Sequence, residues 1–116
     1  MKNFLAVYVG SAAGMQAWKE MDEAQRKQKE AAGMKAWQAW MTTNAKSVVD
    51  MGGPLGKTKR VSTKGIADVR NDMGGYTIVQ AESHEAAAKL FENHPHFTNF
   101  PGDAVEVMER MPIPGM

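Results

Sequence analysis

G-G-Y-T-I-V-Q-A-E (Gly74–Glu82), S-H-E-A-A-A-K-L-F-E-N-H-P (Ser83–Pro95) and A-V-E-V-M-E (Ala104–Glu109) are the stretches whose reading decides the fold. The first is opened by a glycine pair and carries β-branched and aromatic residues, so it reads as a strand. Ser83 is a natural helix N-cap, because its hydroxyl oxygen can accept a free backbone N–H of the first turn. The helix that it starts is expected to run to His94-Pro95, where proline ends the hydrogen-bond ladder. Ala87, Leu90 and Phe91 form its apolar stripe. The third stretch is a closing strand.

Working outward, N-F-L-A-V-Y-V (Asn3–Val9) is another strand, stopped by Gly10-Ser11. Both of its faces, Phe4, Ala6, Tyr8 and Leu5, Val7, Val9, are apolar, so both should be covered. Residues 12–47 are good helix formers without proline. They predict a helical turn near Met15–Lys19 and one long helix over Asp22–Asn44, with Met34, Trp37, Met41, Ala45 and Val48 along one stripe. Gly14 and Gly33 weaken this region by about 1 kcal/mol each relative to alanine. Val48–Met51 reads as a strand ending at Gly52-Gly53-Pro54. Residues 55–73 read as an irregular loop or hairpin insertion carrying Val61 and Val69, and residues 111–116 as an irregular tail.

The resulting order is β-α-β-β-α-β in a single domain over residues 1–116. Right-handed crossovers put both helices on one face of a four-stranded sheet. The other face would be an exposed apolar patch in a monomer, and burial against a second copy removes it. A homodimer is therefore expected.

Composition narrows the function classes. The net charge is +1, from 14 Lys+Arg against 13 Asp+Glu, which gives no global reason to expect a nucleic-acid or membrane partner. There is no cysteine, which excludes disulfides, a thiolate nucleophile and a thiolate metal site. The apolar run Phe4–Val9 is too short for a signal-peptide core or a bilayer span. The expectation is a cytoplasmic protein without a cofactor. Ten methionines and three tryptophans imply an adaptable core or interface.

Several residues invite chemistry. M-G-G-P-L-G-K-T (Met51–Thr58) lacks the first glycine of a phosphate loop and is not followed by an apolar helix, so it reads as a strand-exit loop. His94-Pro95-His96 does not match a metal spacing; one histidine could line a pocket or act as acid or base. Trp37 and Trp40 neighbour each other on the long helix, as core or as an aromatic wall for a flat ligand with Tyr76 opposite. Asp50, at a strand exit, could serve as a base or simply accept loop hydrogen bonds. Lys57, with Lys59, Arg60, Lys64 and Arg70, makes a basic segment that could draw an anionic ligand to a nearby cleft.

The opening K-N-F-L-A-V-Y-V-G, the helix segment M-K-A-W-Q-A-W-M and V-V-D-M-G-G-P-L, together with the three stretches quoted first, resemble the YCII-related family, close to its DGPF-type branch. The resemblance covers nearly the whole chain. It implies a dimeric α+β barrel of two ferredoxin-like protomers with sheets face to face, and a pocket between sheet and long helix or at the subunit cleft. It also implies that some relatives are small lyases or dehydrochlorinases acting on aromatic compounds, with a histidine and an aspartate as acid-base pair. That histidine belongs on the first helix, whereas here no histidine precedes His84 and the corresponding stretch, around Trp37, is rich in tryptophan. The catalytic pair is therefore not carried over, and G-G-P-L stands where D-G-P-F would be.

The function expected is binding of a small aromatic or anionic organic molecule, with Trp37, Trp40, Tyr76 and His94 lining the pocket and Lys57 near its mouth. The alternatives are a cofactor-independent enzyme, lyase-like or monooxygenase-like, using Asp50 or His94 for proton transfer, and a regulatory or structural dimer without a ligand.

Overall fold

A computed structural model describes residues 1–116. The elements are β1 (Lys2–Val9), α1 (Ala12–Glu20), α2 (Glu23–Thr43), β2 (Val48–Pro54), β3 (Thr58–Ser62), β4 (Gly65–Val69), β5 (Met73–Ala81), α3 (His84–Lys89), α4 (Pro95–Thr98) and β6 (Ala104–Glu109). Four strands form an antiparallel sheet in the order β2-β5-β1-β6. Each β-α-β unit therefore straddles a strand of the other, which is the ferredoxin-like α+β arrangement. The shortest dimension is 18 Å, the thickness of one sheet plus one helix layer.

Register decides which side chains meet. Phe4 stands opposite Val79, Ala6 opposite Thr77, and Tyr8 opposite Gly75. Neighbours that face each other across strands share a face, so this set points under the helices. Phe4, Ala6, Tyr8, Val79 and Ala81 join Ala87 and Phe91 in the buried core. Full burial of a side chain the size of Phe4 stabilises the fold by about 1.5–3 kcal/mol. Leu5 opposite Ile78 and Val7 opposite Tyr76 point to the other face, with Met108 of β6 beside Leu5. No helix covers that side.

The long helix begins where the sequence places it, with Asp22 as N-cap accepting the Gln25 N–H at 3.2 Å. Its inward stripe agrees with the expected one only in part: Trp37 packs on the core and Met41 is half-buried, as is Val48 at the start of β2, but Met34 and Ala45 do not turn in. Gly33, Ala36, Trp37 and Trp40 turn inward, Met34 is 53% exposed, and Ala45 lies past the helix end and is exposed. The reason is Gly33, over which the Phe100 ring lies so closely that an added Cβ would stand 2.5 Å from it. The absent side chain lets Phe100 settle on the helix, and that contact fixes the rotation.

Other elements also differ from expectation. α1 is a nine-residue helix capped by Ser11 rather than a single turn. β2 continues through Pro54, with Gly52 at φ +67. Residues 58–69 form a regular hairpin, and its Val61–Ile66 cross-strand pair is 75% and 71% exposed. The helix after Ser83 stops at Lys89, short of His94. Asn93 adopts φ +56, a left-handed conformation that asparagine tolerates and a helix does not. Pro95 consequently opens α4 instead of closing α3, a position where its missing N–H costs nothing. Residues 111–116 lack regular structure beyond a turn.

Candidate functional site

His94 is the N-cap of α4, and its Nδ1 accepts the backbone N–H of His96 at 3.0 Å. A ring nitrogen that accepts cannot carry the proton, so the neutral imidazole is protonated at Nε2. That nitrogen is buried and has no hydrogen-bond partner. Burial, with a smaller push from His96, lowers the pKa of His94 to about 4. At neutral pH the group is therefore an uncharged N–H donor held in an apolar setting.

Aromatic rings surround it. Trp37 and Trp40 meet the imidazole edge-on at centroid distances of 4.6 and 4.9 Å, and Tyr8 and Phe91 lie tilted against it at 5.2 and 5.6 Å. Several of these rings are fixed by polar ends. Trp40 Nε1–H donates to the Leu90 carbonyl at 2.8 Å. The Tyr8 hydroxyl lies 2.6 Å from Thr77 Oγ1, which itself donates to the Met51 carbonyl. Since the Thr77 proton is committed to Met51, Tyr8 is the donor of the pair. Burial raises the Tyr8 pKa, and the Thr77 hydrogen bond opposes that shift only partly. His96 Nε2–H donates to the Val9 carbonyl at 2.8 Å, tying α4 to the end of β1.

Of the residues singled out by the sequence, Trp37, Trp40 and His94 come together here. Tyr76 does not join them: its register partner Val7 places it on the opposite face of the sheet, so the wall of Trp37, Trp40 and Tyr76 does not form within one protomer. Lys57 is exposed in the link between β2 and β3. Asp50 is exposed on edge strand β2, and its carboxylate accepts the Gly52 N–H at 2.8 Å. Phe91, expected in the buried stripe of its helix, and His96, the other half of the His-Pro-His pair, also line the nest, and Tyr8 and Thr77, for which the sequence suggested no site role, complete it. A tyrosine on the same strand face as Phe4 and Ala6 was the available signal, since a buried hydroxyl needs a partner.

A groove of about 380 Å³ opens beside the nest, sharing Phe91 with it and bounded by Phe97, Val105 and Val107, with Glu92 and Asp103 at its walls. A second, of about 400 Å³, lies under α1 between Trp18, Lys29 and Phe100. No three histidine, aspartate or glutamate side chains converge closely enough to hold a metal ion. No helix is long and apolar enough to cross a membrane.

No family model matches the chain, and no curated protein matches its sequence. Among solved structures, the chain is similar to 5-chloro-2-hydroxyhydroquinone dehydrochlorinase from Burkholderia phenoliruptrix AC1100, in complex with 2,5-dihydroxybenzoquinone. The TM-score is 0.54 at 21% identity, over 94% of this chain and 93% of that one. The match extends over nearly the whole of both chains, and at that identity what the two share is the α+β fold.

Proposed function

We propose that this protein is a homodimeric small-molecule-binding protein of the YCII-related type, whose ligand is a small aromatic or anionic organic molecule held at the nest beneath α2. The observation that carries this reading is His94 Nε2. A buried donor without an acceptor costs about 1–3 kcal/mol, and here it is surrounded by flat, polarisable rings that suit an aromatic guest. A ligand oxygen reaching Nε2–H would satisfy it, entering from the neighbouring groove as Phe91 and Trp40 shift. The fold shared with a structure that holds a dihydroxyquinone supports the same ligand class.

The dimer is the second part of the proposal. Half-buried Leu5, Tyr76 and Ile78 and exposed Met108, set around the buried Val7, give the bare face an apolar character that a second copy would cover. The test is calorimetric titration of the protein with 2,5-dihydroxybenzoquinone and a panel of hydroxylated benzoates. Saturable binding lost in His94→Phe supports the reading. Absence of binding across the panel, or binding unchanged in His94→Phe, rejects it.

A cofactor-independent enzyme, lyase-like or monooxygenase-like, is the second reading, favoured by the fold match to a dehydrochlorinase. Asp50 or His94 would then handle protons. In that case Asp50→Asn or His94→Phe abolishes turnover of a bound substrate, with Asp50→Asn leaving binding in place.

A further inference from the structure

The β3–β4 ribbon stands apart from the four-stranded sheet and forms a two-stranded sheet of its own. An isolated hairpin is marginal in water, and this one leaves Val61 and Ile66 paired with each other and wet on both strands. It is also basic. Lys57, Lys59, Arg60, Lys64 and Arg70 face only Asp68 and Asp72 in the same segment, and two of those cations are already paired, Lys59 with Asp68 and Arg70 with Asp72. Arg60, midway along β3, and Lys64, in the turn at its tip, form no ion pair with a carboxylate of their own chain.

The complementary surface is the groove beside β6. Its floor is Phe91, Phe97, Val105 and Val107, and its only ionisable lining residues are Glu92 and Asp103. β6 is also an edge strand, open on its outer side. The ribbon springs from β2 and the groove lies on β6, at opposite edges of the sheet. A two-fold-related copy stacked on the bare face can bring the β2 edge of one protomer over the β6 edge of the other. Strands of five residues reach about 17 Å, enough to wrap past a sheet edge into the helix layer.

We propose that the β3–β4 ribbon is an arm that docks in the β6 groove of a second copy of this chain. Val61 and Ile66 seat on Phe97 and Val107 and Lys64 at the tip meets Glu92 or Asp103, while Arg60, on the opposite face of the ribbon, adds to the positive charge drawn to those acidic walls. Two-fold symmetry makes the contact reciprocal, so each protomer gives one arm and receives one. The inference rests on the homodimer proposed above and adds that the arm, rather than the sheet face alone, holds the copies together. It also places one protomer's arm over the groove that leads to its partner's His94 nest.

The full chain, which has no cysteine, allows a direct test by engineered thiols. Val61→Cys combined with Ala88→Cys should give a covalent dimer under mild oxidation. Reversal of the arm charges (Arg60→Glu with Lys64→Glu) should weaken dimerisation roughly tenfold in sedimentation equilibrium. Adding Glu92→Lys and Asp103→Lys should restore it. A wild-type chain that sediments as a monomer at micromolar concentration rejects the dimer and the arm together. A wild-type dimer whose affinity ignores the arm reversal, with no crosslink or one confined to a single chain, rejects the arm and leaves the dimer.

Discussion

The imidazole of His94 stands edge-to-face against the indole of Trp37, with centroids 4.6 Å apart and planes at 89°. This contact joins the long helix to α4 through a titratable group that is fully buried. Protonating it would place a cation among Trp37, Trp40, Tyr8 and Phe91 with His96 beside it.

Stability should therefore depend on pH in a defined window. The unfolded His94 titrates near 6.5 and the folded one at about 4. Between these values the unfolded chain binds more protons, so stability is intact above pH 6.5 and falls as the pH drops through 4. The loss is on the order of 3 kcal/mol from this group. Urea unfolding at pH 7, 5.5 and 4 measures it. His94→Phe should flatten that fall, and an unchanged fall in the variant would remove His94 as its source.

Gly33→Ala should destabilise the protein although alanine is the better helix former. The propensity gain is about 1 kcal/mol, but the new methyl meets the Phe100 ring at 2.5 Å. Overpacking of that kind costs about 1–3 kcal/mol. Pairing it with Phe100→Leu should recover the loss, which a thermal unfolding double-mutant cycle would detect as a coupling between the two sites.

Tyr8→Phe should cost about 1 kcal/mol by removing the hydroxyl that donates to Thr77. The cost stays modest because Thr77 keeps its own bond to the Met51 carbonyl. Thr77→Val should be worse, since it leaves both the Tyr8 hydroxyl and the Met51 carbonyl without that partner. Chemical denaturation of the two variants orders them.

On the bare sheet face, Leu5→Lys with Ile78→Lys should leave the protomer folded and prevent association. Both side chains are only half-buried in the protomer, so the fold itself loses little, whereas a dimer would have to bury two cations in each half of its interface. Sedimentation equilibrium together with circular dichroism separates dissociation from unfolding.

The element order was legible in the chain because its signals are local. Ser83 and Asp22 cap the helices that the sequence assigns to them, and short apolar runs rich in β-branched and aromatic residues, bounded by glycine, mark β1 and β5 as strands. The ferredoxin-like order β2-β5-β1-β6 follows once both β-α-β units are recognised. Trp37, Trp40 and His94 were also visible, as bulky or titratable residues at helical spacing or at a helix end.

The tertiary structure decided what each of these residues touches. Tyr8 and Thr77 are 69 residues apart, and the Gly33–Phe100 contact that rotates α2 joins segments almost as distant. Period and capping act over one or two turns and carry no information about such encounters. Asn93 is a small example: its left-handed turn divides one expected helix into two and thereby aims His94 into the core rather than leaving it at a wet helix end. The sequence by itself determined where helices and strands form, because backbone hydrogen bonding and apolar period are local. Only the packed molecule decided that a histidine would be buried with one nitrogen unanswered, because burial depends on which distant surfaces close over it.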